Sequence, residues 1–261
     1  MNLSNHPYHI VSISPWPIFL SFNIMFLFVG MIKWFYFQNF YLIITSMILM
    51  MLILFQWWRD VIREGTYQGC HTSFVMKNLR MGMILFITSE IFFFISLFWT
   101  YFHSSLAPSI EIGLMWPPKG IKMFNPYDIP LLNSIILISS GMTISWSHYS
   151  MISNKFKKSF FSLMQTIILG FIFSFFQYIE YYQAPFTISD SCFGSIFFLT
   201  TGFHGIHVII GNVFLMICAL RIFLNHFSKN HHLGFEAAIW YWHFVDIVWL
   251  FVYTWIYWWS F

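Results

Sequence analysis

The chain has 261 residues, of which 59% are hydrophobic, 23% aromatic and only 8% charged. A soluble domain carries about 25% charged residues, so these side chains cannot cover a surface that faces water on all sides, and an integral membrane protein is expected. The formal net charge of +3 comes from scattered Lys and Arg without a basic stripe, which argues against nucleic acid as a partner.

From Met1 to Pro17 the chain contains His6, Pro7, His9, Pro15 and Pro17 but no basic n-region, and no small-residue cleavage site follows. We therefore expect no removable signal peptide, with the mature protein beginning at or near Met1. About 20 apolar residues cross a hydrocarbon core of about 30 Å. Runs of that kind fall at Trp16 to Phe35, Phe40 to Val61, Leu79 to Phe102, Pro130 to Tyr149, Phe160 to Tyr182, Ser191 to Leu224 and Gly234 to Trp258. An all-α polytopic membrane protein of seven transmembrane helices follows, with residues 1–261 as one membrane domain.

Helix-start chemistry precedes two of the runs: Asp128 and Pro130 before the fourth, Ser189 and Asp190 before the sixth. Trp57, Trp58, Trp99, Tyr101, Tyr181, Tyr182 and the closing Trp255 to Trp259 segment lie near the expected interfaces, as an aromatic belt requires. The longest connection, Ser104 to Ile129, carries Pro108, Pro117, Pro118, Gly120 and Pro126 and reads as a loop outside the membrane. With the N-terminus on the basic side, nine of the twelve Lys and Arg residues gather there, against Lys33, Lys119 and Lys122 opposite. That asymmetry places the N-terminus in the matrix or cytoplasm and the C-terminus across the membrane.

Few residues inside the spans can carry chemistry. Glu90 sits mid-span among Phe86, Ile87, Phe93, Phe94 and Leu97 with no cation within a turn or two, where an ionised carboxylate is costly. It reads either as a proton-handling site or as a neutral acid tying two helices together. Glu236, His243 and Asp246 share one side of the last helix, His204 and His207 lie at i, i+3 on the sixth, and Gln177 and Glu180 pair on the fifth. Together these predict an interhelical polar network. His204, His207 and His243 are a weak metal signal, and His231 and His232 read as interfacial loop residues. Cys70, Cys192 and Cys218 form no CxxC and read as buried small apolar residues. Arg59, Arg63, His71, Arg221 and His226, beside Trp57, Trp58 and Tyr67, suit anionic lipid head groups, or are ordinary topology signals. There is no phosphate-binding glycine loop, and no catalytic residue is assigned.

Several stretches resemble a known family: HPYHIV at His6, LRMGMILFITSEIFFF at Leu79, FHSSLAP at Phe102, WPP at Trp116, EYYQAPFTISD at Glu180, TGFHGIHVIIG at Thr201 and NHHLGFEAAIWYWHFVDIVWLFVYTWIYWW at Asn230. They look like cytochrome c oxidase subunit III of animal mitochondria, over nearly the whole chain. The resemblance implies a V-shaped arrangement, with a two-helix arm at 16–72, a five-helix bundle at 73–261 and lipid in the cleft. It implies a non-catalytic core subunit of respiratory complex IV in the mitochondrial inner membrane, beside subunit I and the other subunits. Haem and copper centres then belong to partner subunits, and this chain holds no metal or redox cofactor, only bound phospholipids such as cardiolipin. By resemblance Glu90 is the intramembrane carboxyl reactive toward hydrophobic carbodiimides, and Trp58, Arg63, Glu64, His71 and Arg221 lie near lipid head groups. The subunit is then expected to support proton uptake and to protect the core during turnover. A stand-alone proton-coupled transporter using Glu90, Glu236 and Asp246 is the runner-up reading, weakened by the absence of an inverted repeat, and a haem-binding membrane enzyme, which would show a Soret band in the isolated chain, is the third.

Overall fold

The structure, a computed structural model, describes residues 6–261, so the expected start at Met1 lies outside them. The described residues are all-helical: α1 (Trp16–Phe37), α2 (Tyr41–Thr66), α3 (Ser73–Leu106), α4 (Ile129–Ile152), α5 (Phe156–Gln183), α6 (Ser191–Phe223) and α7 (Leu233–Val252). Each of the seven is long and apolar enough to cross a membrane, as the hydropathy predicted. Several helices outrun the apolar runs that announced them. α2 continues through Arg63 and Glu64, and α3 begins six residues before Leu79, where Thr72 Oγ1 accepts from the Val75 amide at 3.3 Å. Hydrocarbon thickness limits the apolar run, whereas a helix ends only where its backbone bonds find other partners.

Pro17 and Pro130 sit in the first turns of α1 and α4, where a missing N–H costs nothing. Asp128 and Asp190 occupy the expected N-cap positions, but neither side chain caps its helix. Asp190 instead accepts from the Thr187 amide at 2.8 Å, closing the preceding turn. A six-residue π segment, Tyr253–Trp258, continues α7, a local widening that hydropathy does not encode. In the long connection Trp116 packs on Tyr101 and Phe193, which ties the loop to the helices. Of the three cysteines only Cys218 is buried; Cys70 is half-buried and Cys192 exposed, because it stands in the first turn of α6.

The chain divides within α3 into two units, one ending at Leu79 and the other running from Arg80 to Phe261. In the first unit α1 and α2 pair closely. Asn23 Nδ2 donates to the Ser46 carbonyl at 3.0 Å, and a Cβ on Gly30 would lie 3.1 Å from the Ile43 backbone nitrogen. Small residues at such crossings let helices approach in lipid, where packing and not water drives association.

In the second unit α4 to α7 form the core. Trp242 and Trp249 of α7 are fully buried, and their indole N–H groups donate to Ser140 (2.9 Å) and Ser134 (3.0 Å) of α4. Thr143 and Thr166 join α4 to α5 at 2.8 Å. Only 6–11% of the apolar windows of α1 to α3 is buried within the chain, against 39–61% for α4 to α7. The outer surfaces of the first three helices therefore require lipid or protein to cover them.

Candidate functional site

Glu90 is not alone in its span. From α3 its Oε2 meets His207 Nε2 of α6 at 3.0 Å, with side-chain exposures of 24% and 11%. His207 Nδ1 lies 2.7 Å from the Phe203 carbonyl one turn back, and since a carbonyl only accepts, Nδ1 carries the hydrogen. In the neutral imidazole Nε2 is then an acceptor, and Glu90 must donate; otherwise an imidazolium donates to a carboxylate. Either way one proton is shared between the two side chains. Phe94 and Phe244 pack edge-on against the imidazole and Tyr241 stacks on it, a setting that favours the neutral pair over separated charges.

The other polar residues expected in one network resolve into separate contacts. His204 donates from Nε2 to the Val245 carbonyl at 3.2 Å, between Phe173 and Trp249, and its Nδ1 has no hydrogen-bond partner. Glu180 accepts from the Tyr257 hydroxyl, a residue of the π segment, while neighbouring Tyr181 bonds Thr201 at 2.6 Å. His243 Nδ1 lies 3.8 Å from Asp246 Oδ2, and its Nε2 is 3.3 Å from Ser145 Oγ. Asp246 points at Gly141, where a Cβ would sit 2.7 Å from Oδ2, so only glycine leaves room for this acid. His243 also lines an apolar groove of about 810 Å³ between α3 and α7, with Phe98, Trp99, Trp240 and Trp255. Glu236 stands apart in the first turn of α7 and holds Arg80 of α3 by Oε2···Nε at 2.8 Å and Oε1···Nη2 at 3.2 Å.

The pairs Glu90–His207 and Arg80–Glu236 were not drawn from the sequence. A signal for the second existed, since Arg80 and Glu236 are opposite charges that both stand near the starts of their apolar runs.

Four of the residues matched to lipid head groups belong to the first unit. There a polar cavity of about 240 Å³ is lined by Trp16, Trp57, Asp60, Arg63, Glu64 and Gln68 among others. Trp58 and Arg63 are exposed, and Glu64 lies 3.9 Å from His9 Nε2. The His71 imidazole packs on Gly65. Asp60, overlooked in the sequence, organises this end: it accepts from Trp16 Nε1 at 2.7 Å and pairs with Arg59 at 2.9 Å. Arg221 lies in the second unit with its guanidinium 4.1 Å above the Phe227 ring. Burial, followed by the charge of Arg221, holds the His226 and His231 imidazoles of the adjoining loop below their usual range.

Comparison with known proteins adds to this geometry. The family model described as cytochrome c oxidase subunit III matches residues 6–261. Among similar proteins is cytochrome c oxidase subunit 3 of Drosophila melanogaster, 56% identical over 257 residues, 98% of either chain. Its counterpart in Locusta migratoria is 55% identical over 259 residues, 99% of this chain and 98% of the other. That of the fish Tetraodon nigroviridis is 54% identical over 255 residues, 98% of either chain.

Proposed function

Because the chain belongs to the cytochrome c oxidase subunit III family, we propose that this subunit of the terminal respiratory enzyme performs no redox step itself and supports the assembly, stability and proton uptake of the complex. The oxidase transfers electrons from cytochrome c to oxygen coupled to proton pumping. On this reading its haem and copper centres reside in partner subunits, and the chain packs beside subunit I in the mitochondrial inner membrane. The residues 16–72 then serve as a two-helix arm and 73–261 as a five-helix bundle. The nine-to-three bias of Lys and Arg supports an N-terminus in the matrix and a C-terminus in the intermembrane space.

The observation that carries this reading is the proton-sharing Glu90–His207 pair, set in an aromatic wall between α3 and α6. The test is to strip this chain from the purified oxidase. The remaining complex should keep its haem and oxidise cytochrome c, take up protons more slowly and lose activity sooner during turnover. Loss of haem together with the chain would contradict the proposal.

Trp58, Arg63, Glu64 and His71, and separately Arg221, are proposed to hold phospholipid head groups, cardiolipin among them. The exposed Arg63 beside a polar cavity supports this, since a cation near the interface contributes about 1 kcal/mol toward an anionic surface. The double substitution Arg63→Ala and Arg221→Ala should lower the phospholipid phosphorus that co-purifies with the complex. An unchanged lipid content would count against it.

A further inference from the structure

Where α4 ends and α7 begins, three side chains with no role in the proposed function converge. His148 stands near the end of α4, His232 at the N-cap of α7 and Glu236 in its first turn. One ligand atom from each lies within 4.8 Å of the other two, and the two imidazoles meet at 5.5 Å between centroids. His232, which the sequence suggested as an interfacial loop residue, is only 6% exposed. Its Nδ1–H donates to the Ser228 carbonyl at 3.0 Å, so in the neutral ring the lone pair is on Nε2.

That Nε2 faces Glu236 Oε1 at 3.4 Å, and neither it nor Nε2 of His148 has a hydrogen-bond partner. Two acceptors facing each other repel unless a proton or a cation joins them. A buried histidine pinned to a carbonyl through one nitrogen, with the other directed at a second histidine and a carboxylate, is how proteins orient metal-binding imidazoles. Two imidazoles and one carboxylate match the donor set of zinc sites that keep an open position.

We propose that His148, His232 and Glu236 form a reversible site for one divalent ion of the zinc class. The ion has no redox role. Arg80 already neutralises Glu236, so a cation must share or displace that pair, which weakens the site and makes it reversible. Occupation competes with the contact joining α3 to α7, and therefore acts on the helix that also carries Glu90.

The test uses the purified oxidase complex, washed with chelator, equilibrated with micromolar Zn²⁺ and analysed for metal. The wild type should retain one zinc more per complex than His148→Gln or His232→Gln, and Arg80→Gln should bind that zinc several-fold more tightly. If His232→Gln fails to assemble, the less buried His148→Gln decides. Zinc contents equal in wild type and His148→Gln overturn the proposal and leave a protonated His232 as the link to Glu236.

Discussion

In Glu90→Gln, the infrared spectrum of the complex should lose a protonated-carboxyl band that the wild type shows. The expectation follows from the apolar setting of the pair: His207 spends its Nδ1 hydrogen on the Phe203 carbonyl, and among the surrounding aromatic rings the arrangement in which Nε2 accepts from a neutral Glu90 costs less than separated charges. In His207→Ala the band should persist and move to higher wavenumber, because the acid has lost its acceptor. The two substitutions should differ in cost as well. Gln retains a donor for Nε2 and should cost about 1 kcal/mol, whereas His207→Ala strands a largely buried acid and should cost about 1–3 kcal/mol. Absence of any carboxyl band sensitive to Glu90→Gln would mean that the pair is an imidazolium and a carboxylate.

The largest loss of stability is expected from Trp242→Ala. This side chain is fully buried, donates to Ser140 and lies against Gly170 and Gly211, where added Cβ atoms would approach its ring to 2.7 and 2.9 Å. Removing the ring opens a cavity and takes one donor from Ser140, whose hydroxyl still donates to the Leu137 carbonyl, a change worth about 3–5 kcal/mol in protein cores. Gly170→Ala should destabilise by about 1–3 kcal/mol through overpacking against the same ring and Asn212. Because Phe is shorter than Trp, combining Gly170→Ala with Trp242→Phe should cost less than the sum of the two. Thermal dissociation of the complex measures all three, and strict additivity would show that Gly170 and Trp242 do not press on each other.

The seven spans were legible because lipid imposes a length and a polarity on each one, and that signal survives in a single sequence. What the hydropathy could not give was where helices stop. Arg63, Glu64 and Lys77 are polar yet helical, since the backbone keeps its bonds beyond the hydrocarbon. Glu90 stood out as an acid in an apolar run, but its partner lies 117 residues away on another helix, and no periodicity within α3 points to His207. Likewise Glu236, His243 and Asp246 share a helix side by their spacing. Arg80, Ser145 and Gly141 decide what each one meets, and those partners come from tertiary packing. The π segment that presents Tyr257 to Glu180 has no pattern in the apolar run that contains it.

The most direct measurement captures this chain from detergent-solubilised membranes of its native cells and counts what accompanies it. The haem- and copper-bearing oxidase subunits should be recovered in equal numbers with the chain, and the haem absorption should leave with those subunits when they are removed. Recovery of the chain without them, or haem that stays with the chain itself, would contradict the proposed function.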